Sequence, residues 1–353
     1  MSRVYINGDL RYDSGLTKVL GDALERLGLI KLIDKGQKVM LKVNVAGPFP
    51  VEQAATTNPE MVRAMVRLIK EVGSTPVIGD GPNSNQPCFS ICGLKQLAEE
   101  EAVELVRFKN YAPVETDGEI YKSINYASEI FDADKVISMA KLKTHTFAYY
   151  TGAVKNMFGA VEPKQRKEMH LHNNINEFSN ILVDVFNARK PDIAIMDGIT
   201  AMEGLGPTHG HPKELGVIAC SSDAFALDKV CSEAIGYTAD QIPVLKQGER
   251  RGLITFDADA IEIIGSAGID TSEFKRVPVH SDIVHKRFVK MSLGNPAFKH
   301  DKCIKCGLCA EVCPAEAIEM TEKLPGVKAS KCINCYCCHE LCPIGAVVFE
   351  NRL

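Results

Sequence analysis

Residues 303–314 read C-I-K-C-G-L-C-A-E-V-C-P, and residues 332–343 read C-I-N-C-Y-C-C-H-E-L-C-P. The second stretch repeats the first 29 positions later, aligning Cys303, Cys306, Cys309, Cys313 and Pro314 with Cys332, Cys335, Cys338, Cys342 and Pro343. The register continues through Ala317-Ile318 and Ala346-Val347. An internal repeat that coincides with a ligand motif is far more specific than either alone. Three cysteines at steps of three wrap one cube, each thiolate reaching a different iron. The fourth, placed before proline, points away to the cube held by the other repeat. The spacing therefore predicts two [4Fe–4S] clusters. Cys303, Cys306, Cys309 and Cys342 hold the first, and Cys332, Cys335, Cys338 and Cys313 the second. Zinc also binds C-x2-C pairs, but it needs one set of four ligands rather than two interleaved sets with a C-P ending. Cys337 fits neither set and reads as a buried thiol.

On these residues, about 298–353 resemble the bacterial two-cluster ferredoxin, which implies a small pseudo-twofold α+β fold around two cubes. The segment's own apolar content is too small to fold well without metal, so cluster binding and folding should be coupled. Nine of the 13 cysteines of the 353-residue chain lie between Cys303 and Cys342. The start, Met1-Ser2-Arg3-Val4-Tyr5-Ile6, has no apolar core of signal-peptide length, and no run of 18 apolar residues occurs. Clustered thiols without a secretion signal point to ligands in a reducing compartment, the cytoplasm. A net charge of −4 gives no support to nucleic-acid or membrane-surface partners. Nothing in the sequence speaks to oligomeric state.

The preceding residues alternate helix and strand patterns. Ser14 is placed to cap a helix carrying Leu16, Leu20, Ala23 and Leu24, with Gly28 as its stop. Residues 38–45, K-V-M-L-K-V-N-V, read as a strand, and Asn58-Pro59 opens a helix that ends at Gly73. Strands follow at 76–79, 103–108, 135–139, 193–196, 215–219 and 260–264, with Glu119–Ile124 as a further strand-like run. Helices are expected over 88–98, over 174–188 and after the capping residue Asp223. This is an α/β architecture with a largely parallel or mixed sheet and flanking helices over residues 1–276. A linker at 277–297, in which Ile283, Phe288, Val289 and Met291 could form a docking helix, joins it to the ferredoxin-type domain at 298–353. Neither G-x-x-x-x-G-K-[ST] nor G-x-G-x-x-G after a strand occurs, which disfavours ordinary nucleotide binding.

Ligands in open α/β sheets bind outside the carboxyl ends of the strands. Three such ends carry unusual polar residues: Lys42 and Asn44, then Lys141, Lys143 and His145, then Asp197 and Glu203. Lysines beyond a strand are usually solvated and Asp-Gly is usually a turn, but three coincidences at equivalent ends point to a cleft. Lys155 and Asn156, within a helical-looking stretch at 149–159, can face the same cleft. Region 141–172 is basic, with Lys164, Arg166, Lys167, His170 and His172, and favours an anionic ligand. His170-x-His172 and His209-x-His211 are spaced to share a metal, though such pairs are more often loop residues. Cys88, Cys92, Cys220 and Cys231 read as buried inert thiols.

The motifs K-V-N at 42–44, A-K-L-K-T-H at 140–145 and T-G-A-V-K-N-M-F-G at 151–159 resemble the iron–sulfur proteins of domain of unknown function 362. So do D-G at 197–198, M-E-G-L-G-P at 202–207 and S-D-A-F-A-L-D at 222–228. The resemblance covers most of residues 1–275 and implies a distant likeness in fold to the amino-terminal part of nickel-dependent lactate racemase. It supplies no reaction. The leading functional expectation is a reductase that takes electrons from a donor protein through two clusters to an anionic small molecule or cofactor. Lys42, Asn44, Lys141, Lys155, Asn156 and Asp197 would hold that ligand, with His145, Lys143 or Glu203 serving the chemistry. The alternatives are an electron-transfer subunit for a partner enzyme, and an isomerase or transferase whose clusters are structural.

Overall fold

Runs of aliphatic and β-branched residues build the centre of one nine-stranded sheet. The computed structural model describes residues 1–172, 174–265, 273–279, 295–322 and 324–349. The sheet contains β1 (Ser2–Asn7), β2 (Lys38–Lys42), β3 (Thr75–Asp80) and β4 (Glu104–Arg107). A separate antiparallel hairpin of β5 (Tyr111–Glu115) and β6 (Ser123–Ala127) follows. The sheet resumes with β7 (Lys135–His145), β8 (Tyr149–Thr151), β9 (Ile193–Glu203), β10 (His211–Ser221) and β11 (Ile261–Ile264). Its order is β11-β1-β10-β9-β7-β2-β3-β4, with β8 bonded to β7. β4, β3, β2, β7 and β9 run parallel, whereas β10 is antiparallel to both β9 and β1. The sheet is therefore mixed, with a parallel centre.

Alternation along each strand feeds two cores. Val39, Leu41, Ile137 and Met139 pack on one face with helices Leu16–Leu27 and Pro59–Val72. Met40, Val136, Ala140 and Leu142 pack on the other with helix Ile175–Ala188. Asn58 and Asp223 cap their helices as expected, and Asn174, expected inside its helix, is a cap as well; all three side chains accept from the first helical amides. Ser14 does not cap the first helix; Asp13 accepts from Gly15 N instead.

Several boundaries differ from expectation. The helix expected over 88–98 is two pieces, Cys88–Ile91 and Leu94–Glu100, broken at Gly93 with φ +81°. Glu119–Ile124 is not a strand. The amides of Glu119, Ile120 and Tyr121 are drawn to the buried Asp184 carboxylate, and pairing starts only at Ser123. β1 went unread. The largest difference is that β7 and β9 do not stop at Met139 and Met196. They run on to His145 and Glu203, so the polar residues expected in loops lie within strands.

The ferredoxin-type part begins two residues before 298, because Pro296–Phe298 pairs with Val347–Phe349. Ile318–Met320 pairs with Pro325–Val327, and the short helices Leu308–Glu311 and Cys337–Glu340 complete each repeat. Of the expected linker, Val277 is buried and exchanges hydrogen bonds with the Tyr237 hydroxyl. Ile283, Phe288, Val289 and Met291 lie outside the described residues.

Candidate functional site

The repeat in sequence is a repeat in backbone. Lys305 and Asn334 have φ +57° and +56°, Gly307 and Tyr336 +79° and +63°, and Glu316 and Gly345 +48° and +61°. Each pair is 29 positions apart, and these left-handed residues curl each cysteine loop around a void. One void, about 320 Å³, is lined by Cys303, Cys306, Cys309 and Cys342; the other, about 380 Å³, by Cys332, Cys335, Cys338 and Cys313. The two interleaved quartets expected from spacing are brought together residue for residue. Ala317 N and Ala346 N donate to the sulfurs of Cys313 and Cys342 at 3.2 and 3.1 Å, again in equivalent positions.

The donor set fits an iron–sulfur cube. Each void offers four sulfurs and apolar walls such as Ala317, Ile318 and Val327, or Phe298, Ala346 and Val347. Among the described residues no three His, Cys, Asp or Glu side chains converge on a point where a single ion could sit. Burial pushes the Cys309 thiol up to about 11 and Cys338 well above its usual range. Thiolates there need a cationic partner, so metal and fold stabilise each other.

A larger cavity lies between the two domains. It encloses about 970 Å³ of empty space, its solvent-open part included. Lys42, Asn44, Lys141, Lys143, Lys155 and Asn156 all line it, as the strand-end reading expected. Its far wall belongs to the ferredoxin-type domain: Val312, Cys337, Glu340 and Leu341. Thr208 Oγ1 donates to Glu340 O at 2.6 Å, Lys167 Nζ to Glu311 O at 3.2 Å, and the His209 and His339 rings stack at 4.7 Å across the junction.

β2 ends at Lys42 because side chains take over the backbone bonds beyond it. Asn44 N donates to Thr57 Oγ1 at 2.9 Å and Val45 N to Asp80 Oδ2 at 2.6 Å. Lys42, wholly buried, pairs with Asp80 at 2.8 Å and donates to Asn156 Oδ1 at 3.1 Å. Lys141 pairs with Asp197 at 2.9 Å, and Asp197 also accepts from Tyr12 OH at 2.6 Å and Asn58 N at 2.8 Å. Asp197 is therefore the counter-ion that positions Lys141, not a residue facing the cavity.

Among the described residues, no carboxylate is in contact with Lys143. It donates to Asn44 Oδ1 at 2.8 Å and Ala55 O at 2.7 Å, and burial together with Lys155 and Lys141 lowers it to about 7. Lys155, also lowered by burial, lies over the Phe158 ring at 5.8 Å.

His145 and Glu203 do not line the cavity. His145 Nδ1 accepts from Phe147 N and Ala148 N at 3.1 and 3.2 Å, leaving the proton on Nε2, 3.7 Å from Glu340 Oε1. Burial and the neighbouring lysines hold this ring well below the ordinary histidine range, so it is neutral. Glu203 instead accepts from Lys275 N at 2.9 Å and ties down the segment after β11. His170 lines the cavity with Nδ1 bonded to Arg166 O at 2.7 Å, while His211 is exposed.

Three cavity residues escaped the sequence reading of the site. Asp80 ends β3 just as Lys42 ends β2, and that strand end could have been examined with the others. Arg166 was noted only as part of a basic region. Glu340 lies inside the second cysteine repeat, where the ligand pattern drew the attention.

The thylakoid-associated protein sll1697 of Synechocystis sp. is 35% identical over 250 residues, covering 69% of this chain and 77% of that protein. The lactate racemase apoprotein of Thermoanaerobacterium thermosaccharolyticum superposes with a TM-score of 0.41 at 13% identity. That overlap covers 65% of this chain and 56% of the racemase. A family model described as a 4Fe-4S binding domain matches residues 296–319, the first cysteine repeat, and the model for domain of unknown function 362 matches residues 39–233. The chain belongs to the domain of unknown function 362 family and carries a ferredoxin-type 4Fe-4S binding domain after it.

Proposed function

We propose that this chain is a reductase that passes electrons from two [4Fe–4S] clusters to an anionic small molecule held in the interdomain cavity. One observation carries the reading: the cavity that gathers the lysines is walled by Val312 and Cys337, the chain neighbours of Cys313 and Cys338. Leu341, which precedes Cys342 of the other quartet, lines it too, so the quartet of Cys332, Cys335, Cys338 and Cys313 has two of the three neighbours and is the nearer on this reading. The other quartet faces out, with Cys306 exposed and Ile304 and Ile344 exposed by 61% and 37%. A donor protein in a reducing compartment would dock there. The clusters supply one-electron transfer. Lys143, Lys155 and Asn44 hold and orient the anion, while Asp80 and Asp197 hold Lys42 and Lys141 in place.

The test is stopped-flow reoxidation of dithionite-reduced, cluster-loaded protein by small anionic acceptors. Lys143→Ala and Lys155→Ala should slow reoxidation by roughly tenfold or more, the loss of one charge-assisted hydrogen bond. Unchanged rates would overturn the proposal. The outward face of the first quartet also suits a second reading, a carrier for a partner enzyme. That reading expects partner reduction to be indifferent to both substitutions.

A further inference from the structure

Counting charge inside the cavity narrows the ligand. Two of its cations are already neutralised, Lys42 by Asp80 at 2.8 Å and Lys141 by Asp197 at 2.9 Å. Lys167 sits at the rim on a backbone carbonyl. That leaves Lys143, Lys155 and Arg166; with Asp80 assigned to Lys42, the remaining carboxylate lining the cavity among the described residues is Glu340. With these three cations protonated and Glu340 ionised, the excess is two positive charges. Arg166 is 9% exposed, its terminal nitrogen donates to Gly81 O at 2.8 Å, and its Nε is buried with no hydrogen-bond partner among the described residues. Uncompensated buried charge and an orphaned buried donor are both costly, and such groups persist where a ligand completes them.

Part of the remaining lining is apolar. Val45 and Phe158 on one side, and Val312 and Leu341 on the other, form apolar walls. The space, about 970 Å³ with its solvent-open part included, is more than a bare oxyanion fills. We infer that the cavity binds an organic molecule with a dianionic head, a phosphate monoester or a pair of carboxylates, on Lys143, Lys155 and Arg166, and an apolar body against Val312 and Leu341. This rests on the cavity being the ligand site of the reductase reading, but not on electron transfer. It orients the ligand: charge toward the sheet, carbon skeleton toward the inner cysteine quartet.

The test is equilibrium binding to full-length, cluster-loaded, oxidised protein with four probes: benzoate, phthalate, phenyl phosphate and inorganic phosphate. At least one of the two aromatic dianions should bind roughly ten- to a hundredfold tighter than benzoate and tighter than inorganic phosphate. A lead by phenyl phosphate assigns a phosphate ester, and a lead by phthalate a dicarboxylate. Lys155→Gln and Arg166→Gln should each erase most of the preference over benzoate. Lys155→Gln removes an uncompensated charge, so ligand-free protein should melt no lower than the parent, which separates lost binding from lost folding. Equal binding of benzoate and the dianions, no binding of any probe, inorganic phosphate binding as well as the aromatic dianions, or a preference that survives both substitutions would each overturn the inference. Dianions that bind as stated but leave reduced clusters untouched would sink the reductase reading alone.

Discussion

Lys143 is a cavity group whose charge is finely balanced, as is Glu340, which burial pushes up to about 7. Lys155, Lys141, Glu340 and Asp80 act on Lys143 at a distance, and burial lowers it to about 7, against about 10.4 for a free lysine. Between those values the unfolded chain carries a proton that the folded, ligand-free protein lacks. This residue's contribution to stability therefore rises with pH across that window. A bound anion reverses the preference and recharges the amine. Anion affinity should fall above pH 7, by at most about tenfold per unit from this group, with proton uptake on binding. Calorimetry at pH 8 in two buffers of different ionisation heat measures that uptake directly. Lys141, by contrast, has its carboxylate partner in contact. Asp197→Asn would leave an uncompensated buried ammonium and should cost about 3–5 kcal/mol in urea unfolding.

The strand and helix that carry these side chains are held from behind. Asp228 accepts from Ala153 N at 2.7 Å and Val154 N at 3.0 Å, fixing the one-turn helix Ala153–Asn156 that presents Lys155 and Asn156. A Cβ on Gly152 would stand 2.0 Å from the Asp228 carboxylate, so only glycine lets the two approach. Asp228→Ala orphans two buried amides and should destabilise the protein by roughly 2–5 kcal/mol, checked by chemical denaturation, while weakening anion binding. The buried halves of these strands were readable from aliphatic runs, and helix ends from Asn58, Gly28 and Gly73. The polar halves of β7 and β9 were not. Lysines at every second position look like a solvated edge unless their partners are known, and Asp197 lies 56 residues beyond Lys141. Lys42, Asn44, Lys141, Lys143, Lys155 and Asn156 nonetheless share one cavity, because strand ends converge there whether or not the strand has stopped. Asp80 and Glu340 went unread because their roles exist only through contacts with distant segments.

Across the chain, the metal-binding domain is part of the wall of the cavity rather than an appendage. Its core is largely the cysteines themselves, with Ala317, Ile318, Ala346 and Val347. Stripping iron with a chelator should remove hydrogen-exchange protection from residues 296–349 and, with it, the wall formed by Val312, Glu340 and Leu341. Anion affinity should fall at least tenfold while the nine-stranded sheet keeps its protection. Loss of protection confined to the cysteine loops, with the cavity unaffected, would contradict this arrangement.

The unequal shelter of the eight ligands also sets a vulnerability. Cys306 is exposed, whereas Cys309, Cys313, Cys338 and Cys342 are buried. If both quartets carry clusters as proposed, air should attack the one beside exposed Cys306 first, and a two-phase loss of visible absorbance would record that order.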